Sequence, residues 1–322
     1  MNKILLYNSG GGLGDCIQLF DLITSLKIKF KNSEIYYLGA HENHFQKSLK
    51  EYNIDIPTFN IDLKYFGFRW KHLLLIKNKL KKISASKFDL VIDLQSKIRN
   101  TLILKQIPSK HFYSPTMDYF FSSEKNKYFN TKNNINLILD NVGKLINEEI
   151  KKIKYDISGI DKKYFEEANR ILPENDYLGI SLTQGNVYRK KSWSLNKFLN
   201  LSRSIVEKGY KPVFLIKNDE KDLINKIKSQ ISSAIFPELD TNLACPAFIT
   251  AISTRLKKAI SIDNGVMHMI GLANIPMIVL FGPTNSEKFA PKIQNIKVLD
   301  SKIMNNSDDI ETIKEDDVLK FI

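Results

Sequence analysis

Apolar residues in this chain gather in short runs interrupted by turn residues, and the segments between the runs carry helical spacing. Residues 4–7, 34–38 and 90–94 are runs of strand length, while 15–30 and 71–82 repeat apolar positions every three or four residues. The first group predicts buried strands and the second helices. The alternation restarts beyond residue 151, with runs at 177–182, 212–216, 259–262 and 277–281 and helical spacing at 195–208, 220–230 and 266–273. Strands alternating with helices predict parallel sheets covered by helices. At 322 residues the chain exceeds one typical core. The pattern therefore reads as two Rossmann-like α/β domains, 1–160 and 161–322, joined near 155–175.

Ligands of open α/β sheets collect where strands exit, and the exits of this chain are polar. The run at 259–262 ends in Asp263-Asn264-Gly265, turn chemistry ahead of the helical run from Val266. The Asp263 carboxylate and the N–H groups of a starting helix then face one crevice, and such a helix end favours phosphate. After 277–281 comes Gly282-Pro283-Thr284, a tight turn whose backbone and hydroxyl can approach an anion. The run at 4–7 leads to Gly10-Gly11-Gly12-Leu13-Gly14-Asp15. A dinucleotide-type G-x-G-x-x-G needs a third glycine where Asp15 stands, so that fingerprint is disfavoured. By spacing alone Asp15 is a helix cap. Thr183-Gln184-Gly185 and then Arg189-Lys190-Lys191-Ser192-Trp193 follow another strand. A lysine at such an exit can meet an anion, whereas Trp193 reads as a core anchor. Arg99, beyond the strand at 90–94, serves equally as a surface residue or as a fork for a carboxylate or phosphate.

The set Asp263-x-Gly265-x-x-His268, then Pro276, then Phe281-Gly282-Pro283-Thr284 resembles the signature of the lipopolysaccharide heptosyltransferases, glycosyltransferase family 9. The family pattern has Thr or Ser where this chain has Asn264. Leu13-Gly14-Asp15 and Lys191-x-Trp193 also match, and the likeness runs from Gly12 to Leu319. It implies the GT-B architecture, two Rossmann-like domains with a cleft between them, the first facing acceptor and the second nucleotide sugar, and a closing helix at 308–322. It implies Asp15 as catalytic base, Arg99 and Gln95 as acceptor-binding residues, and a donor site of Gly12, Gly14, Thr183, Lys191, Glu220, Asp263, Gly265, His268, Gly282 and Thr284. The implied reaction is inverting transfer of a sugar, a heptose from ADP-heptose, to lipopolysaccharide core or another lipid-linked saccharide. No cofactor and no metal is expected, because the chain contains no Asp-x-Asp pair.

Charge adds a partner to this picture. Residues 1–155 hold 25 Lys and Arg against 14 Asp and Glu, a net of +11, while 156–322 hold 23 against 21. Lysine supplies 42 of the 48 basic residues, so compositional bias contributes, but the asymmetry implies an anionic partner for the first half. Aromatics interleaved with cations at 64–71, Lys77, Lys79, Lys81 and Lys82 beyond them, and an aromatic loop at 111–121 suit a membrane interface. Leu73, Leu74, Ile76 and Leu80 have the spacing of a core face instead. No run reaches membrane-span length and no signal-type segment occurs. A monomeric cytoplasmic protein, peripheral at the inner membrane, is expected. Cys16 and Cys245 lie in apolar contexts and read as core residues, and His41-x-x-His44 lacks the Glu of a zinc protease. Two other classes remain. A nucleotide-sugar epimerase of the same fold is distinguished by product formed without acceptor. A nucleic-acid binder lacks any recognised motif here, and salt-sensitive binding tests for it.

Overall fold

Branched and aromatic side chains fill both faces of the strand runs, and in the computed structural model those strands pair in parallel, as strands covered on both faces do. The structure describes residues 1–39, 42–61, 68–82, 87–132, 134–185 and 191–322. It divides into two units, Met1–Tyr155 and Asp156–Ile322.

The first unit contains β1 (Lys3–Asn8), α1 (Leu13–Ile17), α2 (Phe20–Lys29), β2 (Glu34–Gly39), α3 (His72–Lys82), β3 (Phe88–Asp93), α4 (Ile98–Leu104), β4 (Ser109–Tyr113) and α5 (Leu137–Ile146). Its sheet has the order β2-β1-β3-β4, all parallel. The helix expected at 15–30 is two helices. Cys16, Ile17, Leu19, Phe20, Leu22 and Ile23 are all buried, a broader arc than one straight helix face offers. The aromatic stretch at 111–121 is also corrected, since its first residues belong to β4, with Phe112 and Tyr113 in the core. The polar start Ser109-Lys110-His111 hid that strand from the hydrophobic pattern.

The second unit contains α6 (Lys162–Ile171), β5 (Tyr177–Ser181), α7 (Leu195–Glu207), β6 (Lys211–Phe214), α8 (Lys221–Gln230), α9 (Pro246–Ser253), β7 (Lys258–Ile262), α10 (Gly265–Leu272), β8 (Met277–Phe281), α11 (Ser286–Phe289), β9 (Ile296–Asp300), α12 (Ser301–Asn305) and α13 (Glu315–Leu319). Its sheet order is β6-β5-β7-β8-β9, again parallel. The segment read as a junction holds α6, which buries Tyr164 and Ala168. The closing segment is not one helix. A 3-10 turn at Ile310–Thr312 precedes the short α13, and Ile310, Ile313 and Val318 pack into the core of this unit beside Trp193 and Phe198. The Trp193 indole N–H donates to the Ile313 carbonyl at 3.0 Å, so Trp193 is the anchor its composition suggested.

In both sheets the strand order reverses beside the first strand of the unit. The exits of β1 and β3 in one, and of β5 and β7 in the other, are therefore the places where a ligand finds room.

Candidate functional site

Two of those exits carry the second unit's polar set. Asp263 follows β7, and its Oδ2 accepts from the Lys191 ammonium at 2.5 Å and from the Thr284 hydroxyl at 2.7 Å. Asp263 and Thr284 are buried and Lys191 is largely so. The backbone N–H of Lys191 donates to Gln184 Oε1 at 2.9 Å, which fixes the loop after β5. Asn264 caps α10, its Oδ1 accepting from Met267 N at 2.8 Å, while its amide donates to Ser181 Oγ and to the Thr183 carbonyl at 2.8 and 2.9 Å. The role of the Asn at this position is thus to cap the helix and tie β5 to β7. Three loops distant in sequence converge on one cation, one carboxylate, one hydroxyl and the helix start at Gly265. Lys191, Thr284 and backbone N–H donors are the chemistry that suits a negatively charged group.

Other expected donor residues lie elsewhere in the fold. Glu220 is exposed at the N-cap of α8, beyond β6. His268 is buried within α10. A side chain at Gly282 would meet the Asp308 carbonyl at 3.1 Å and Ile310 Cβ at 3.0 Å, so that glycine admits the closing turn of the chain. Gly12 and Gly14 belong to the first unit, with Asp15. Arg189 and Lys190 fall outside the described residues, as do His41 and residues 64–67.

In the first unit the glycine loop after β1 carries Asp15. Its Oδ2 accepts from Gly12 N at 3.1 Å, closing the first turn of α1. The cap read from spacing is present. A Cβ on Gly10 would come within 2.8 to 2.9 Å of the Asp15 carboxyl, so the loop closes over that carboxylate only because residue 10 has no side chain. Asn8 ends β1, and its Oδ1 accepts from Gly10 N at 2.9 Å and from Gln95 Nε2 at 2.8 Å. The Gln95 amide is therefore engaged with the loop that carries Asp15. Asn8 was not singled out from the sequence, although a polar residue at a strand exit was the signal for it.

Beneath Gln95 lies Asp93, fully buried, whose carboxylate accepts from Thr101 Oγ1 at 2.7 Å, Ser114 Oγ at 2.8 Å and Gln95 N at 3.0 Å. Burial pushes its pKa up to about 6, against those hydrogen bonds, which hold it down. Arg99 is half-buried, and its Nε has no hydrogen-bond partner among the described residues. His72, at the start of α3, is held below its usual range first by burial and then by Lys71, Arg69 and Arg99. Among the described residues no group of three or more His, Cys, Asp or Glu side chains is placed to hold a metal ion.

The family model for glycosyltransferase family 9 (heptosyltransferase) matches residues 77–318. No curated protein matches the chain in sequence. Among solved structures, a glycosyltransferase family 9 protein from Veillonella parvula superposes with a TM-score of 0.69 at 18% identity, covering 99% of this chain and 95% of that one. E. coli heptosyltransferase WaaC with ADP gives 0.66 at 13% identity, with 99% and 96% covered. UDP-GlcNAc 2-epimerase from Methanocaldococcus jannaschii gives 0.52 at 15% identity, with 99% and 90% covered. These superpositions assign the GT-B architecture to the two parallel sheets. Among the described residues no helix is long and apolar enough to cross a membrane.

Proposed function

The chain belongs to glycosyltransferase family 9, and from that premise we propose that it transfers a heptose from ADP-heptose to a saccharide of the lipopolysaccharide core or another lipid-linked acceptor, with inversion. The observation that carries the donor half of this reading is the Lys191–Asp263–Thr284 set at the exits of the second sheet. Lys191 and Thr284 meet the diphosphate oxygens, with the N-terminus of α10 beside them. Asp263 keeps the lysine aimed before the donor arrives, so less reorganisation is required as charge develops.

Asp15 acts as base. Its Oδ2 is held by Gly12 N, and Oδ1 takes the proton of the acceptor hydroxyl as that oxygen bonds to the anomeric carbon. The bond from that carbon to the diphosphate breaks in the same step. Its electron pair leaves on the phosphate oxygen, where Lys191 meets the new charge. Arg99, whose Nε has no hydrogen-bond partner among the described residues, offers a fork to an acidic sugar of the acceptor. No metal enters the scheme, in keeping with a sequence that has no Asp-x-Asp pair. The first unit's net of +11 suits an acceptor carried at the inner membrane face.

The test is release of ADP from ADP-heptose. It should require a lipid-linked core saccharide, and donor alone should raise the melting temperature. Conversion of a nucleotide sugar to its epimer without acceptor would replace this reading with the epimerase one. Failure of ADP-heptose to shift the melting temperature, where another nucleoside diphosphate sugar does, would change the donor.

A further inference from the structure

α3 buries one stripe and leaves the opposite one bare. His72, Ile76 and Leu80, spaced by four, are buried, and the last two join the core that α4 also enters through Ile103 and Leu104. Leu74 lies two positions on from His72, about 200° around the helix, and is 83% exposed. Trp70, one turn before Leu74, is 55% exposed, and Leu75 is 42% exposed. Three large apolar side chains on one short segment are more than a lone surface leucine, which would need no account.

A second apolar tip lies in the same unit, tied towards α3 by hydrogen bonds from Lys105 and Gln106 just after α4. Met117, Asp118 and Tyr119 follow one another with φ of 50°, 51° and 65°, a left-handed run that L residues adopt at a cost. The run is held by the buried Tyr119, whose hydroxyl donates to the Phe129 carbonyl and accepts from Thr131 N. Its result is outward projection of Met117 and Phe120, the latter 60% exposed. Hydrogen bonds link the tip to α3 through α4. Gln106 donates to the Leu73 carbonyl at 3.1 Å and Lys105 to the Phe121 carbonyl at 3.0 Å.

The rim of this surface is predominantly cationic, with the exposed Asp118 at the tip standing among the cations. Residues 68–81 include Arg69, Lys71, Lys77, Lys79 and Lys81 and no acidic residue. The Lys125 ammonium stands 4.5 Å from the centre of the Phe120 ring. Exposed Trp, Leu and Phe inside a cationic rim match the boundary between acyl chains and anionic headgroups, where lysine stems lie along apolar surface and their charges reach phosphate. We propose that Trp70, Leu74 and Leu75 of the α3 segment, with Met117 and Phe120, form an insertion face that seats the first unit in an anionic lipid bilayer. This rests on the reading of a membrane-borne acceptor, and it adds that apolar side chains, not the lysines alone, make the contact.

The chain has two tryptophans, and Trp193 is buried in the other unit, so an emission change on adding vesicles reports Trp70. Full-length protein is mixed with phosphatidylcholine vesicles, or with vesicles in which phosphatidylglycerol replaces part of the phosphatidylcholine. Expected are a blue shift and co-sedimentation with the anionic vesicles, and a partition coefficient lowered roughly tenfold by Leu74→Asp and by Phe120→Asp, with unfolding temperatures unchanged. Salt should weaken binding without abolishing it. Absence of the blue shift, Asp variants that bind as the parent does, or complete release by salt would each overturn the insertion face. A separate measurement of ADP release, with the acceptor dispersed in detergent, keeps the two readings apart. Transfer without vesicle binding removes the insertion face alone, and vesicle binding without transfer removes the proposed reaction alone.

Discussion

Asp15 has two duties that a single substitution separates. As a cap its Oδ2 accepts from Gly12 N, and Asn keeps an oxygen able to do so. As a base it must take a proton, which a neutral amide does not. Asp15→Asn should therefore lower turnover by roughly a hundredfold or more while affinity for ADP-heptose holds, measured by single-turnover kinetics beside calorimetry. Undiminished turnover would remove Asp15 from the chemistry. Lys191 differs, because the charge it meets exists in the bound donor as well as in the transition state. Lys191→Ala should weaken ADP binding roughly tenfold or more and lower the rate as well. It also leaves the buried Asp263 carboxylate with the Thr284 hydroxyl but without its cation, so some loss of stability is expected. Full ADP affinity in the variant would place the diphosphate elsewhere.

At the scale of elements, Asp93 ties β3 to α4 and to the residues just after β4 through hydroxyl groups, with no cation in the network among the described residues. Burial raises its pKa to about 6, above the ordinary carboxylate value of about 4. Between those two values the folded chain keeps a proton that the unfolded chain has released. The associated stability is complete below the unfolded value and is lost as pH rises through about 6. Urea unfolding of the parent beside Asp93→Asn should therefore show the stability difference between the two shifting by up to about 3 kcal/mol against the parent between about pH 4 and pH 7. Equal slopes in the two proteins would mean the buried carboxyl does not titrate there. The same network explains Gln95, whose backbone N–H serves Asp93 while its side chain serves Asn8 and the glycine loop. From the sequence Gln95 stood as an acceptor-binding residue implied by the family resemblance, and its ties to Asp93 and Asn8 were not foreseen.

For the whole molecule, the scheme assigns leaving-group charge to Lys191 and the start of α10, so transfer should continue in excess EDTA. Loss of activity on chelation, restored by magnesium or manganese, would overturn that assignment. What the sequence determined by itself was local. Apolar runs of strand length, spacing of three and four, and turn residues at strand exits act over a few residues, and they were enough to mark seven of the strands, the two α/β units and the exits where Asp15, Lys191, Asp263 and Thr284 stand. β4, β9 and the helices α4, α5, α6, α9, α11 and α12 escaped because their patterns are short or mixed, and packing against distant residues stabilises them. Which polar groups meet was decided by tertiary structure alone. Lys191 and Asp263 are 72 residues apart, and Asn8 and Gln95 are 87 apart. Their hydrogen bonds arise because parallel pairing brings strand ends to one edge of a sheet, where burial leaves each polar group to find its partner in the protein. For the same reason Leu74, spaced like a core residue, stands in solvent: a helix buries the stripe that a neighbouring sheet can cover, and the sheet reaches only the side of α3 that carries Ile76 and Leu80.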